Sequence, residues 1–225
     1  MYDGSGPLRH RTLLSHPGVS QRVSLIPDGV AVTELREARP IAYDHPLLIV
    51  ASRLEQYKNV HMSISALKYL PANTKLAILG DGPERMRLKA LADRLDIGNR
   101  VQFLGSRSAS EVRSWFAAAD AVLCLSARES FGLVVLEALC AGAPVVASDI
   151  APHREIAQVF ADTGRHFVSA AARPWELAHR LQAVLQTGRR AEAHAPDWEH
   201  VTARTHKVYQ TAIGRQRSSR ERRST

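Results

Sequence analysis

ADAVLCLSARESFGLVVLEALCAGAPVVASDIAPHRE, residues 119–155, reads as two nearly all-apolar strands, 121–126 and 144–148, joined by a loop that ends in Glu129 and a helix that carries Glu137 about two turns in. Strands without polar alternation are covered on both faces, and a pair joined by about 18 residues containing one helix must be parallel. In such a sheet, ligands bind beyond the carboxyl ends of the strands, where helix N-termini converge. The polar loops 126–133 and 149–155 both open at that end.

Outward from this unit the pattern repeats. PLLIVAS (46–52), KLAILG (75–80) and RVQFLG (100–105) read as further strands, and 165–169 as a short one. Helices alternate with them. One spans 60–70 with Ile64 and Leu67 inward; another starts at Pro83, in its first turn, and runs to about Asp96 with a stripe of Met86, Leu88, Leu91 and Leu95. A third covers 108–118, with Ser108 as cap and Glu111 at the third helical position. Others start at Pro152, span 173–187 up to Gly188, and span 197–213 with Trp198, Val201, Val208 and Tyr209. RVSLIPDGVAV (22–32) suggests a short strand and a turn at Pro27-Asp28-Gly29, and 31–45 a polar connection over the surface. Residues 1–20 have no period. Six parallel strands with intervening helices make one doubly wound, Rossmann-like α/β unit.

Composition narrows the partners. The chain of 225 residues is 45% hydrophobic and 23% charged, as globular proteins are. Its formal charge is +8, and the stretch 214–225, GRQRSSRERRST, holds five arginines and one glutamate, so half of the excess sits in a tail. Such a tail reads as a disordered, solvated end, with attraction to an acidic membrane surface or to nucleic acid as the lesser readings. The fold itself gives no reason to expect nucleic acid as a partner. No run approaches the ~18 apolar residues of a membrane span, and the start lacks a signal peptide's apolar core. Cys124 and Cys140 have no metal-ligand spacing and read as buried free thiols in a reducing, cytoplasmic compartment. The ten histidines suggest no metal cage.

Candidate chemistry gathers at the carboxyl ends of the strands. Arg53 and Lys58 follow the first strand and can reach a diphosphate, as a planar fork and as a point charge, or can be unrelated surface charges. GDGPER (80–85) follows a strand and opens a helix, but Arg85 stands where the dinucleotide fingerprint needs a third glycine, and no acidic residue ends the next strand. Nicotinamide and flavin binding are thereby disfavoured. The amides of Phe131, Gly132, Leu133 and Val134 open a helix at the mouth, where phosphate is favoured, and Gly132 permits close approach of a ligand. Glu137 lies on an otherwise apolar helix and needs a partner there: two ribose hydroxyls, or a salt bridge to Arg154 or a loop arginine. His153 either touches a ligand or sits at the surface as a cap.

RESFGLVVLEALCAGAPVVASD, taken with SRLEQYK and LGDGPER, resembles the nucleotide-binding C-terminal domain of the retaining glycosyltransferase family 4, whose members have the two-domain GT-B fold. The likeness covers about Val23 to Val168, and LIPDGV resembles the family's Ile-Pro-Asn-Gly-Val with Asp28 in place of asparagine. It implies a hexosyltransferase using a nucleotide diphosphate sugar (UDP-, GDP-, ADP- or TDP-linked), with no further cofactor and no metal. It also implies roles: Arg53 and Lys58 on the diphosphate, Glu129 on the donor sugar, Glu137 on the ribose, the amides of Phe131, Gly132 and Leu133 on sugar or phosphate, and the strand end around Leu104 beside the base. The domain plan that follows is a remnant or linker at 1–22, the donor-binding domain at 23–188, a helical segment at 189–213 and the basic tail at 214–225. An acceptor-binding domain, which family members carry first, has no counterpart before Val23, so it is expected from the same gene or from a partner chain. A non-catalytic nucleotide-sugar-binding module is the alternative, and peripheral contact at the inner face of the membrane stays open.

Overall fold

The computed structural model describes Ser24 and residues 26–169, 171–188 and 190–221. They fall into two units, one of residues Val32–Ala195 and one that joins the segment up to Ala31 with the segment from Pro196.

In the larger unit, β1 (Leu47–Ala51), β2 (Lys75–Leu79), β3 (Val101–Gly105), β4 (Ala121–Cys124), β5 (Val145–Ser148) and a later strand, β7 (Arg165–Val168), form one sheet. The order is β3-β2-β1-β4-β5-β7 and every pairing is parallel. The chain steps outward from β1 to β3 and then returns to the other side of β1, so the direction reverses between β1 and β4. Loops leaving the carboxyl ends of those two strands part there, which is where such sheets take ligands.

The four inner strands are apolar because both faces are covered, whereas the edge strands β3 and β7 keep exposed positions at Gln102 and Arg165. Leu48 and Val50 join one buried cluster with Ile64, Leu67, Leu76, Ile78, Leu88, Leu123 and Leu181, while Leu47 and Ile49, one residue out of phase, are buried on the other side. On one side α2 (Val60–Leu67) packs against α3 (Arg85–Arg94) and α7 (Pro174–Thr187). On the other, α1 (Val32–Arg36), α4 (Ala109–Ala118), α5 (Leu133–Cys140) and α6 (Ala151–Phe160) pack against one another. Ser108 caps α4 as expected: its hydroxyl accepts from the Glu111 amide, and the Glu111 carboxylate accepts from the Ser108 amide.

Several expectations are corrected. Residues 32–36 are a short helix rather than a surface connection, because Leu35 is buried; five residues with only Val32 and Leu35 apolar give no readable period. Pro83 lies in the turn before α3 and not in its first turn. Met86 is 74% exposed, since the inward side of α3 is set by Leu88 and Ala92, with Leu91 and Leu95 packed alongside. A small antiparallel pair, β6 (Ala161–Thr163) with β8 (Glu192–Ala193), has no counterpart in the pattern because strands so short show no alternation.

In the smaller unit, α8 (Trp198–Glu221) runs past residue 213, where the apolar spacing stops. Its continuation, GRQRSSRE, holds no proline, and basic residues are favoured near the last turn of a helix. The turn expected at Pro27-Asp28-Gly29 does not form, and the chain just after it meets the start of α8: Val30 bridges Asp197 and donates to the Pro196 carbonyl at 3.0 Å. Residues 1–20, the greater part of the strand expected at 21–26 and the final residues 222–225 lie outside the described residues.

Candidate functional site

Two loops meet above the β1/β4 boundary. The one after β1 makes a single 3-10 turn, Gln56–Lys58, and then places Asn59 in the left-handed region at φ 52°. Asparagine is one of the few residues that tolerates this conformation, and its side chain donates to the Leu125 carbonyl at 3.0 Å. From the β4 loop, the Ala127 amide donates to the Tyr57 carbonyl at 2.7 Å, and the Arg128 guanidinium lies 4.7 Å from the centre of the Tyr57 ring. The loops are thus joined by backbone, by side chain and by a cation over an aromatic face.

This joining brings Lys58 and Glu129 together. The ammonium donates to Glu129 Oε1 at 2.5 Å, with the two side chains only 16% and 20% exposed. The same carboxylate oxygen accepts from the Ser126 hydroxyl at 2.7 Å. Ser126 was not anticipated; the S-x-x-E spacing from 126 to 129, familiar from helix caps, is the signal that marks it. Arg53 is not part of this group. Its side chain is 76% exposed and pairs with Glu55 at 2.8 Å, two residues along the same loop.

Gly132 begins α5. Its φ of 101° is closed to side chains, and a Cβ there would lie 3.2 Å from the His153 ring. The carbonyl of Gly132 accepts from the Val135 amide, so the preceding amides of Leu133 and Val134 have no partner within the helix and form its positive end. Phe131 is half-buried and Leu133 exposed beside them.

Glu137 is the fifth residue of α5, little more than one turn in rather than two, and half-buried. Burial raises its pKa, opposed by the Arg113 guanidinium on α4. Arg154 is not its partner, for that side chain holds Asp149 at 2.5 Å. Leu104 is half-buried on β3, the edge strand two places from β1, so it stands at the far end of the row of strand ends. Nearby, Arg85 donates to the Phe103 carbonyl at 3.3 Å and pairs with Asp81 at 3.2 Å.

The surface alternative for His153 is overturned: the residue is 1% exposed, turned inward from the first turn of α6 toward Ser148. Cys124 and Cys140 are buried free thiols, and burial pushes them up to about 12 and about 11. Among the described residues no group of three or more His, Cys, Asp or Glu is arranged to hold a metal ion, and no helix is long and apolar enough to cross a membrane.

The chain has relatives among known proteins, in sequence and in fold. The chain is 35% identical to D-inositol 3-phosphate glycosyltransferase of Xylanimonas cellulosilytica over 133 residues, 57% of this chain and 32% of that one. It is 35% identical over 151 residues to a GDP-mannose-dependent alpha-(1-6)-phosphatidylinositol dimannoside mannosyltransferase of Mycobacterium tuberculosis, covering 66% of this chain and 37% of that one. It therefore spans about a third of the length of these curated relatives. Among solved structures, the lipopolysaccharide glycosyltransferase WaaG matches with a TM-score of 0.60 at 25% identity, over 74% of this chain and 48% of that one. Anabaena Alr3699/HepE in complex with UDP matches with a TM-score of 0.68 at 22% identity, over 88% and 60%. Residues 31–196, the whole of the larger unit and one residue on either side, match the family described as Glycosyl transferases group 1, and the chain belongs to that family.

Proposed function

We propose that this chain is the donor-binding part of a retaining glycosyltransferase, which moves a hexose from a nucleotide diphosphate sugar to a hydroxyl acceptor. The observation that carries this reading is the Lys58–Glu129 pair held beside the free N-terminus of α5, at the reversal point between β1 and β4. Lys58, the Leu133 and Val134 amides, and Arg53 once it leaves Glu55 would meet the charge that grows on the diphosphate as the sugar departs. Glu129 would contact the sugar, Glu137 would accept from the ribose hydroxyls, and the strand end at Leu104 would lie beside the base. Charge on the leaving group is met by these cations and dipoles without a metal. Retention follows if the acceptor hydroxyl attacks from the side the diphosphate leaves. The complex of Alr3699/HepE with UDP supports a nucleotide at such a fold, and relatives named for phosphatidylinositol and diacylglycerol support an acceptor at a membrane surface.

Calorimetry with UDP and GDP tests the donor site. Binding is expected, weakened about tenfold by Lys58→Ala and by Glu137→Ala, each of which removes a charge-assisted hydrogen bond. Failure to bind any nucleoside diphosphate would overturn the reading. The acceptor-side half would come from another part of the protein or from a partner chain. Once it is supplied, a product whose anomeric configuration matches the donor's supports retention. A second reading, a non-catalytic binding module that uses the same mouth, would be excluded by turnover of a nucleotide sugar by the 225-residue chain alone.

A further inference from the structure

His153 belongs to no role assigned above, yet it is buried, only 1% exposed, beside the mouth. Its Nδ1 lies 3.0 Å from the Ser148 carbonyl and 3.2 Å from the Ser148 hydroxyl. A carbonyl oxygen can only accept, so Nδ1 must carry a proton. The hydroxyl cannot supply a competing bond to a bare Nδ1, because it is committed at 2.5 Å to the Ser126 carbonyl. The ring therefore carries its proton at Nδ1, and in its neutral form Nε2 is bare and turned toward the start of α5, where a Cβ at Gly132 would sit 3.8 Å away. Ser126 then passes the constraint on: its carbonyl receives Ser148, and its hydroxyl holds Glu129 Oε1 at 2.7 Å, the atom that takes Lys58. Ser126 and Ser148 are both buried, so water cannot readily substitute at either.

We propose that His153 is a positioning residue of the donor site: through Ser148 and Ser126 it fixes the Glu129 carboxylate on Lys58 and sets the first turn of α5. The inference rests on the donor-binding reading for its consequence, but the geometry it asserts can be tested without a ligand. Burial keeps the ring neutral by lowering its pKa, opposed by the Ser148 carbonyl and by Glu129, while Lys58 lowers it further. These two charges face the ring from the β4 and β1 loops. A neutral ring suits a site whose neighbours, Lys58 and the α5 N-terminus, are already positive.

Histidine-ring 1H–15N spectra of the full chain are expected to show His153 protonated at Nδ1 and bare at Nε2; protonation at Nε2 alone would overturn the proposal. Asparagine at this position keeps an N–H near Nδ1, whereas leucine keeps only the volume. The Lys58 ammonium resonance, which survives exchange with water only while Glu129 holds it, is expected in the unaltered chain and in His153→Asn. It is expected to vanish in His153→Leu and in Ser126→Ala, the latter keeping the test open should the leucine chain not fold. Its absence from the unaltered chain, or equal behaviour of the Asn and Leu variants, would overturn the proposal. Where UDP or GDP binds, His153→Leu and Ser126→Ala are expected to lose about tenfold in affinity and His153→Asn less than about threefold. If neither nucleotide binds, the donor reading fails and the spectra alone decide the role of His153.

Discussion

Glu137 shows how one side chain can stand between stability and function. Its folded pKa is raised, with burial as the largest cause, so between the ordinary carboxylate value and the raised one the folded state binds more protons than the unfolded chain. Stability linked to this group is fully present at acid pH and is lost as pH rises through the raised value. Glu137→Gln is therefore expected to be more stable than the unaltered chain at pH 7 in urea unfolding, with the gain vanishing below the ordinary carboxylate pKa. The same variant is expected to bind nucleotide less well. Gly132→Ala is expected to cost about 1 to 2 kcal/mol for the left-handed backbone alone, read by the same unfolding experiment. The nearby His153 ring adds to that cost. At this scale the sequence was informative where chemistry is anomalous: a carboxylate on an apolar helix and a glycine opening it were both visible. Ser126, Ser148 and the inward turn of His153 were not, because a polar residue at a strand end looks the same whether it faces water or a buried neighbour. Nor could the preference of Arg53 for Glu55 be read, since exposed ion pairs depend on rotamers that spacing does not fix.

The elements were legible in proportion to how much they bury. The four inner strands of the main sheet were legible because burial on both faces leaves almost no polar position to blur the run, whereas the edge strands β3 and β7 carry Gln102, Arg165 and His166 and showed only in their remaining apolar residues. The pairs β6–β8 and the helix α1 escaped because two to five residues cannot display a period. Met86 was misplaced because α3 is largely charged, so any apolar residue on it looked like core. Capping was the most readable local signal, and it yields a direct measurement. Ser108→Ala removes the hydroxyl that receives the Glu111 amide and is expected to lower stability by about 1 kcal/mol in thermal or urea unfolding. Backbone and hydroxyl contacts from Ser108, with Arg107 adding a weaker attraction, hold the Glu111 pKa below its ordinary value. The loss should therefore shrink at pH values acid enough to protonate that carboxylate.

On the scale of the molecule, three histidines among the described residues, His61, His153 and His166, have pKa values lowered chiefly by burial. Arg87 and Arg180 add repulsion at His61 and His166. Below the ordinary histidine value of 6.5 the unfolded chain takes up protons that the folded chain refuses, so stability falls as pH falls. Thermal unfolding between pH 8 and pH 5 is expected to show this decline, and His153→Asn to make it shallower. The seam between the β1 and β4 loops carries a different consequence. Asn59 on Leu125 and Ala127 on Tyr57 bind the loops before any ligand arrives, so the walls of the mouth are ordered in advance. A nucleotide docking there would surrender little chain entropy, and its heat-capacity change should reflect only the surface that the ligand itself covers. The Ala127 amide should accordingly exchange slowly with solvent in the free protein and gain little protection when UDP is added.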